Sequence, residues 1–301
     1  MPARGEVPRV VGELRKFLET RLEKPFHLRY LDRGVYNLAF RLAGRGIIRW
    51  RQSAPAGQTC LEVYGREVEL HRFLAGTGIT AELLDCWPEG PALLLEPLRG
   101  RTLSYTPARL GAAARLYRRL HDLEGPFPAS LPRQPNPVQA FLAESRGYLS
   151  HYRAWAGANP RVVDLLQAST RRLESHGFTV ARPCLTHGDA SPRNWRFQQG
   201  RACLLDWDWC LVTTAAADMA HLFCPLTVRR QRSQPLKAEQ EAVFWQTYQP
   251  EARLLEEYRR FLPVTTLRTA CWVAARVAEL DGGGSACLHA QLEPDFLEAV
   301  L

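Results

Sequence analysis

The sequence predicts an α+β fold in two lobes, a small β-rich N-terminal lobe over residues 1–97 and a larger helical C-terminal lobe over 98–301. Three observations carry this expectation. Short period-two runs bounded by turn residues crowd the first hundred positions, and helical periodicity dominates beyond the break at Pro97-Leu98-Arg99-Gly100. One tight loop with a hairpin, from His187 to Trp207, interrupts the helical part. A chain of 301 residues is long enough for two such units, each with its own core.

The elements follow in order. Val7 to Arg21 has helical spacing, with Val10, Val11, Leu14, Phe17 and Leu18 on one face. His27 to Leu31, Val35 to Leu42 and Gly46 to Arg51 read as strands separated by Asp32-Arg33-Gly34 and Ala43-Gly44-Arg45. A helix over Val63 to Leu74 ends at Gly76, and strands at Glu82 to Trp87 and Ala92 to Glu96 complete the small sheet. Helices are then expected over Ala112–Leu123, Val138–Tyr152, Val162–Ser175, Met219–Leu222, Glu239–Tyr248, Arg253–Phe261 and Thr265–Leu280, with the proline-rich stretch Pro126 to Pro137 as a loop.

Composition narrows the classes. Net charge is +8, and of 39 basic side chains only Lys16, Lys24 and Lys237 are lysine. The arginines are spread along helical faces with no aromatic-interleaved basic segment, so nucleic-acid binding is not expected, and the cationic balance disfavours a polycationic partner. The eight cysteines form no CxxC pair, which suits thiols in a reducing cytoplasm rather than a zinc or disulfide framework. Charged residues throughout the N-terminal segment argue against a signal peptide, and Asp218, His221 and Pro225 argue against a membrane span in the apolar stretch Trp209–Val228.

The chemistry concentrates in His187-Gly188-Asp189-Ala190-Ser191-Pro192-Arg193-Asn194 and Leu204-Leu205-Asp206-Trp207. A carboxylate, an amide five residues on and a second carboxylate beyond a short hairpin are the groups phosphoryl transfer needs: one to orient a hydroxyl and take its proton, two oxygen ligands for Mg²⁺. Strands at Trp195–Phe197 and Ala202–Leu205 would return Asp206 to Asn194. On this reading Asp189 is the base, and Asn194 and Asp206 hold the metal.

These residues resemble the aminoglycoside phosphotransferase and choline kinase family, which implies a protein-kinase-like fold. His187-Gly188-Asp189 with Asn194 is similar to that family's catalytic loop, Leu205-Asp206-Trp207-Asp208 to its metal-binding segment, and Ala217-Asp218-Met219-Ala220 to the helix start that follows. In the N-lobe, Asp32-Arg33-Gly34-Val35-Tyr36-Asn37 resembles a single-glycine phosphate-covering turn, which assigns Gly34 and Asn37 to the nucleotide. Ile47-Ile48-Arg49 matches the strand that offers a cation to the α- and β-phosphates, with Glu67 as its ion-pair partner; Arg51 lies on the same strand face and competes with Arg49 for that role. Leu93 to Gly100 resembles the hinge that meets adenine, through the Glu96 carbonyl and the Leu98 N–H, because Pro97 has no N–H to give.

The resemblance implies an ATP- and Mg²⁺-dependent kinase of a small hydroxylated acceptor, such as a metabolite, amino alcohol, sugar or aminoglycoside. The alternative is a catalytically silent nucleotide-binding protein of the same fold, which Arg49 in place of lysine and Thr213-Thr214-Ala215-Ala216 before Asp218 would permit. His187 is read as a loop-holding residue, Asp218 as a cap for a helix beginning at Met219 and a brace for the loop, Asp208 as a solvated acid and His121 as a packing residue. An acceptor pocket of this family lies among C-lobe helices, where Trp155, Trp209, Trp245, Tyr248, Trp272, Glu279, Asp281, Glu293 and Asp295 could meet a cationic acceptor. The net charge favours a metabolite over an antibiotic.

Overall fold

The computed structural model of the chain describes residues 6–22, 26–55, 57–189, 191–232, 234–281 and 286–301. Ala190 of the loop and the side chain of Val10 on the first helix lie outside the described residues. The chain divides into two compact units, Met1–Arg99 with Pro128–Ser130, and Gly100–Phe127 with Leu131–Leu301.

In the first unit α1 (Glu6–Glu19) is followed by β1 (Leu28–Arg33), β2 (Asn37–Leu42), β3 (Gly46–Arg51), α2 (Cys60–Phe73), β4 (Leu83–Trp87) and β5 (Ala92–Leu95). The strands form one antiparallel sheet in the order β1-β2-β3-β5-β4. Strand alternation then sorts the side chains of β3. Ile48 joins Leu14, Leu18, Phe40 and Leu94 in a buried cluster under α1, with Trp50 packed against it. Arg49 and Arg51 therefore occupy the opposite face, where both meet Glu67 of α2. That helix begins three residues before the expected Val63, because Thr59 and Glu62 form a capping box: the Glu62 N–H donates to Thr59 Oγ1 at 3.2 Å and the Thr59 N–H to Glu62 Oε2 at 2.7 Å.

The second unit runs α3 (Pro107–His121), α4 (Pro137–Ala154), α5 (Pro160–Leu173), β6 (Cys184–Thr186), β7 (Trp195–Gln198), β8 (Arg201–Leu204), β9 (Leu211–Thr213), α6 (Ala216–Phe223), α7 (Pro225–Arg229), α8 (Ala238–Tyr248), α9 (Ala252–Glu279), α10 (Ala286–Ala290) and α11 (Pro294–Val300). The two helices expected on either side of Pro263 are one. Proline inside α9 removes a backbone bond, yet Phe261, Val264 and Leu267 carry a fully buried stripe straight across it, and α9 packs on α4 and α6 along that stripe. β6 and β9, absent from the sequence expectation, pair antiparallel and frame the loop between them. Among the described residues no helix is long and apolar enough to cross a membrane.

Candidate active site

The loop after β6 is built from the backbone outward. Gly188 has φ +76°, and a Cβ there would lie 2.1 Å from the Trp209 carbonyl oxygen, so both its conformation and its neighbour demand glycine. The turn so formed presents two consecutive N–H groups to one carboxylate: His187 N–H donates to Asp218 Oδ2 and Gly188 N–H to Asp218 Oδ1, each at 2.8 Å. Asp218 is wholly buried on α6. Burial alone would raise its pKa, but the His121 hydrogen bond and charge, with the contacts from His187, hold it below the ordinary carboxylate value.

The brace expected of Asp218 is thus present, and the cap is not. α6 starts at Ala216, two residues ahead of Asp218, and Thr214 Oγ1 accepts from the Ala216 N–H at 3.2 Å at its entrance. His121 also does more than pack: its Nε2 lies 3.1 Å from Asp218 Oδ2 and its Nδ1 3.0 Å from the Tyr248 hydroxyl, linking α3, α6 and α8 through one buried ring. Asp208, read as a solvated acid, is buried.

His187 holds the loop to the hairpin. Its Nδ1 accepts from the Asp189 N–H at 3.2 Å and its Nε2 lies 2.9 Å from the Leu205 carbonyl, so the proton sits on Nε2, and the ring packs on Trp207 with centroids 4.6 Å apart. The expected hairpin pairs Trp195 with Leu204 and turns at Gln199-Gly200, with φ of +50° and +74°. It returns the chain to the loop: the Leu205 N–H donates to the Asn194 carbonyl at 2.7 Å, placing Asp206, itself at φ +67°, next along the chain. A left-handed backbone at a non-glycine residue is a local conformational cost, and Asp206 carries it at the end of the hairpin.

Asp189 sits at the mouth of this arrangement. Oδ1 accepts from the Ser191 N–H at 3.0 Å and Oδ2 from Asn194 Nδ2 at 2.9 Å, while the same Nδ2 is 3.2 Å from the Asp189 carbonyl. With both neighbours acceptors, the amide must present its nitrogen to Asp189, which leaves Asn194 Oδ1 at its other end. Burial works against the charge on Asp189, but His221, the Ser191 side chain, His187 and Arg230 together hold its carboxyl below the usual range. The structure therefore brings Asp189, Asn194 and Asp206 into one loop and hairpin.

The nucleotide-assigned residues all fall in the first unit. Glu67, 4 % exposed, is shared by both arginines, with Arg49 Nε 2.8 Å from Oε1 and Arg51 Nη2 3.1 Å from Oε2. Arg51 is the more deeply buried and also reaches the Ser53 carbonyl at 3.4 Å. Gly34 donates its N–H to the Asn37 carbonyl at 2.8 Å, and a Cβ there would stand 3.6 Å from that oxygen, an ordinary contact, so the chain itself does not require glycine. Glu96 and Leu98 follow β5; the Glu96 N–H is engaged by the Glu82 carbonyl at 2.9 Å, a bond that does not use the Glu96 carbonyl.

Sequence reasoning did not assign a site role to three side chains that share a hollow with Asp189: His221, Arg230 and Arg268, alongside Trp209 and Trp272, which it had named. His221 follows Asp218 by three on one helix, a spacing that could have suggested it; its Nε2 is 3.8 Å from Asp189 Oδ1. Burial pushes its pKa down to about 4 despite Asp189, and Arg230 and Arg268 press the same way. Arg230 and Arg268 carry no local signal.

A small antiparallel sheet with one braced helix, and a helical unit bearing a carboxylate–amide loop closed by a hairpin, define a kinase-like fold. The chain belongs to the phosphotransferase enzyme family, whose model matches residues 29–262. The fold is similar to a choline kinase from Cryptosporidium parvum Iowa II (14 % identity, 97 % of this chain and 95 % of that one, TM-score 0.69) and to a choline/ethanolamine kinase family protein from Mesorhizobium loti (17 %, 96 % and 94 %, 0.68). It is also similar to the ADP-bound aminoglycoside phosphotransferase APH(2'')-Ib (16 %, 94 % and 97 %, 0.62). No curated protein matches the chain.

Proposed function

We propose that the chain is an ATP-dependent kinase that transfers the γ-phosphate to a hydroxyl of a small molecule. The observation that carries this reading is the Asp189–Asn194 pair with Asp206 one residue beyond the Leu205–Asn194 bond, in a chain of the phosphotransferase family. The ADP bound to APH(2'')-Ib and the GDP bound to APH(2")-IIia support a purine nucleotide as phosphate donor.

Asp189 is ionised at neutral pH and is the group suited to receive a proton. As the acceptor oxygen bonds to the γ-phosphorus, the bond from that phosphorus to the β–γ bridging oxygen breaks. ADP leaves, and the hydroxyl proton passes to Asp189 and then to water. Asn194 Oδ1 and the Asp206 carboxylate are hard oxygen donors, the set Mg²⁺ takes when waters and phosphates complete its shell, so these two residues would hold it, and the ion would supply charge neutralisation on the phosphates. Arg49, charged and paired with Glu67, is assigned to the α- and β-phosphates, Gly34 and Asn37 to the turn over them, and Glu96 and Leu98 to adenine.

Asp189→Asn tests the reading. Turnover measured by acceptor-dependent ADP release should fall by roughly a hundred- to ten-thousand-fold, with Mg·ATP affinity by calorimetry changed less than about threefold. Turnover near that of the parent, in a protein with an unchanged melting curve, would remove Asp189 from the base role.

A further inference from the structure

We propose that the phosphate acceptor carries an anionic group, a carboxylate or a phosphate monoester, seated against Arg230 in the hollow beside Asp189. The inference rests on the kinase reading above and concerns the charge of its acceptor. The hollow is lined by Asp189, Ser191, His221 and Thr269, by the two arginines and by Trp209 and Trp272; apart from Asp189 no carboxylate lines it. Acceptors such as choline or aminoglycosides are cations and would need acids or open aromatic faces here. The acids named from the sequence, Glu279, Asp281, Glu293 and Asp295, are absent from the lining. The two indoles are present, but each already carries a guanidinium: Arg230 lies over Trp272 at 5.5 Å and Arg268 over Trp209 at 5.3 Å.

The two cations differ in how they are neutralised. Arg268 is tied through Nε to Glu144 at 2.6 Å. Arg230 hydrogen-bonds to neutral oxygens, Ser191 Oγ at 3.3 Å from Nη1 and Gln291 Oε1 at 3.4 Å from Nε; it acts on the Asp189 carboxylate at longer range, and among the described residues no carboxylate forms an ion pair with it. A half-buried guanidinium with no carboxylate in direct contact can still form a charge-assisted pair with a ligand, and its planar fork suits a carboxylate or phosphate. Ser191 is two residues from Asp189, so an acceptor bound by Arg230 would bring a hydroxyl one or a few bonds away within reach of the base. His221, neutral above about pH 4, adds no competing charge.

Matched acceptors decide it: D-glycerate and glycerol 3-phosphate against glycerol, gluconate against sorbitol, with choline and kanamycin as cations. Calorimetry on the full chain should show binding of at least one anion, at least about tenfold tighter than its neutral counterpart, and ADP release with Mg·ATP should follow the same order. The carboxylate and phosphate arms separate the two anionic sources. Arg230→Ala and the closer-sized Arg230→Gln should both raise the acceptor KM about tenfold or more and leave the ATP KM within about twofold, while Arg230→Lys retains part of the affinity. Binding of none of the anions, better turnover with a neutral or cationic member, or an Arg230 effect on ATP KM alone would each overturn the proposal. Anion binding that depends on Arg230 with no ADP release would leave the anionic site standing and sink the transfer reading instead.

Discussion

Glu67 in the first unit and Asp218 in the second are both buried carboxylates, and they are held by opposite means. Glu67 is surrounded by charge, two guanidinium groups at 2.8 and 3.1 Å, and the trio keeps a net positive charge. Asp218 has no guanidinium against it; two backbone N–H groups at 2.8 Å and the His121 ring, by hydrogen bond and charge, hold it. The first arrangement sets one carboxylate against two cations. The second fixes backbone positions and so determines where Asp189 points. One carboxylate is held by two side-chain cations, the other chiefly by backbone N–H groups of the loop it braces.

Amide substitution breaks the comparison open. Glu67→Ala leaves two largely buried arginines facing each other without their anion, and unfolding in urea should show a loss of about 3–5 kcal/mol, of which Glu67→Gln recovers little because the charge is still gone. Asp218→Ala strips the His187 and Gly188 N–H groups of their acceptor and should cost about 2–3 kcal/mol, with turnover falling as the loop loosens. Asp218→Asn keeps one acceptor oxygen and should recover more than half of that stability. Equal rescue by the two amides would abolish the distinction drawn between the sites.

Within the first unit, burial sharpens the roles of the two arginines. Arg51, at 3 % exposure, should cost about 1–3 kcal/mol of stability when replaced by alanine. Arg49→Ala should cost less stability and raise the ATP KM more, with Arg49→Lys intermediate; the reverse pattern in thermal melts and kinetics would move the phosphate contact to Arg51. The smallest effect is one of pH. His71, buried on α2 with Nδ1 3.1 Å from the Ala81 carbonyl, has its pKa pushed down to about 4 by burial, with Arg49 pressing the same way. Below pH 6.5 the unfolded chain takes up a proton that the native state refuses, so stability falls from pH 6.5 toward 4; at pH 5.5 the His71 share is about 1 kcal/mol. His71→Gln should shrink the acid loss by that amount, and an unchanged pH profile would show that His71 is not buried neutral.

Local elements were legible because their signals are local. Gly46–Arg51 was bounded to the residue, and the Asp189–Asn194 interval with Gln199-Gly200 between two short apolar runs located the loop and hairpin. The start of α2 was missed although Thr59 and Glu62 spell a capping box, and the break expected at Pro263 did not occur because the buried stripe of α9 outweighs one missing bond. The strands β6 and β9, three residues each, are too short to show a period and exist only because they pair.

By itself the sequence determined that Arg49 and Arg51 share one face of β3, since strand alternation has a period of two, and how far apart Asp189, Asn194 and Asp206 stand along the chain. The tertiary structure alone decided that one glutamate serves both arginines, that His121 reaches across 97 residues of chain to Asp218, and that Arg230 and Arg268 come to lie beside Asp189. Periodicity and turn chemistry are properties of neighbours in sequence; a shared acceptor or a charged hollow is a property of helices packed from distant segments, set by the fit of buried faces that no single window of residues contains.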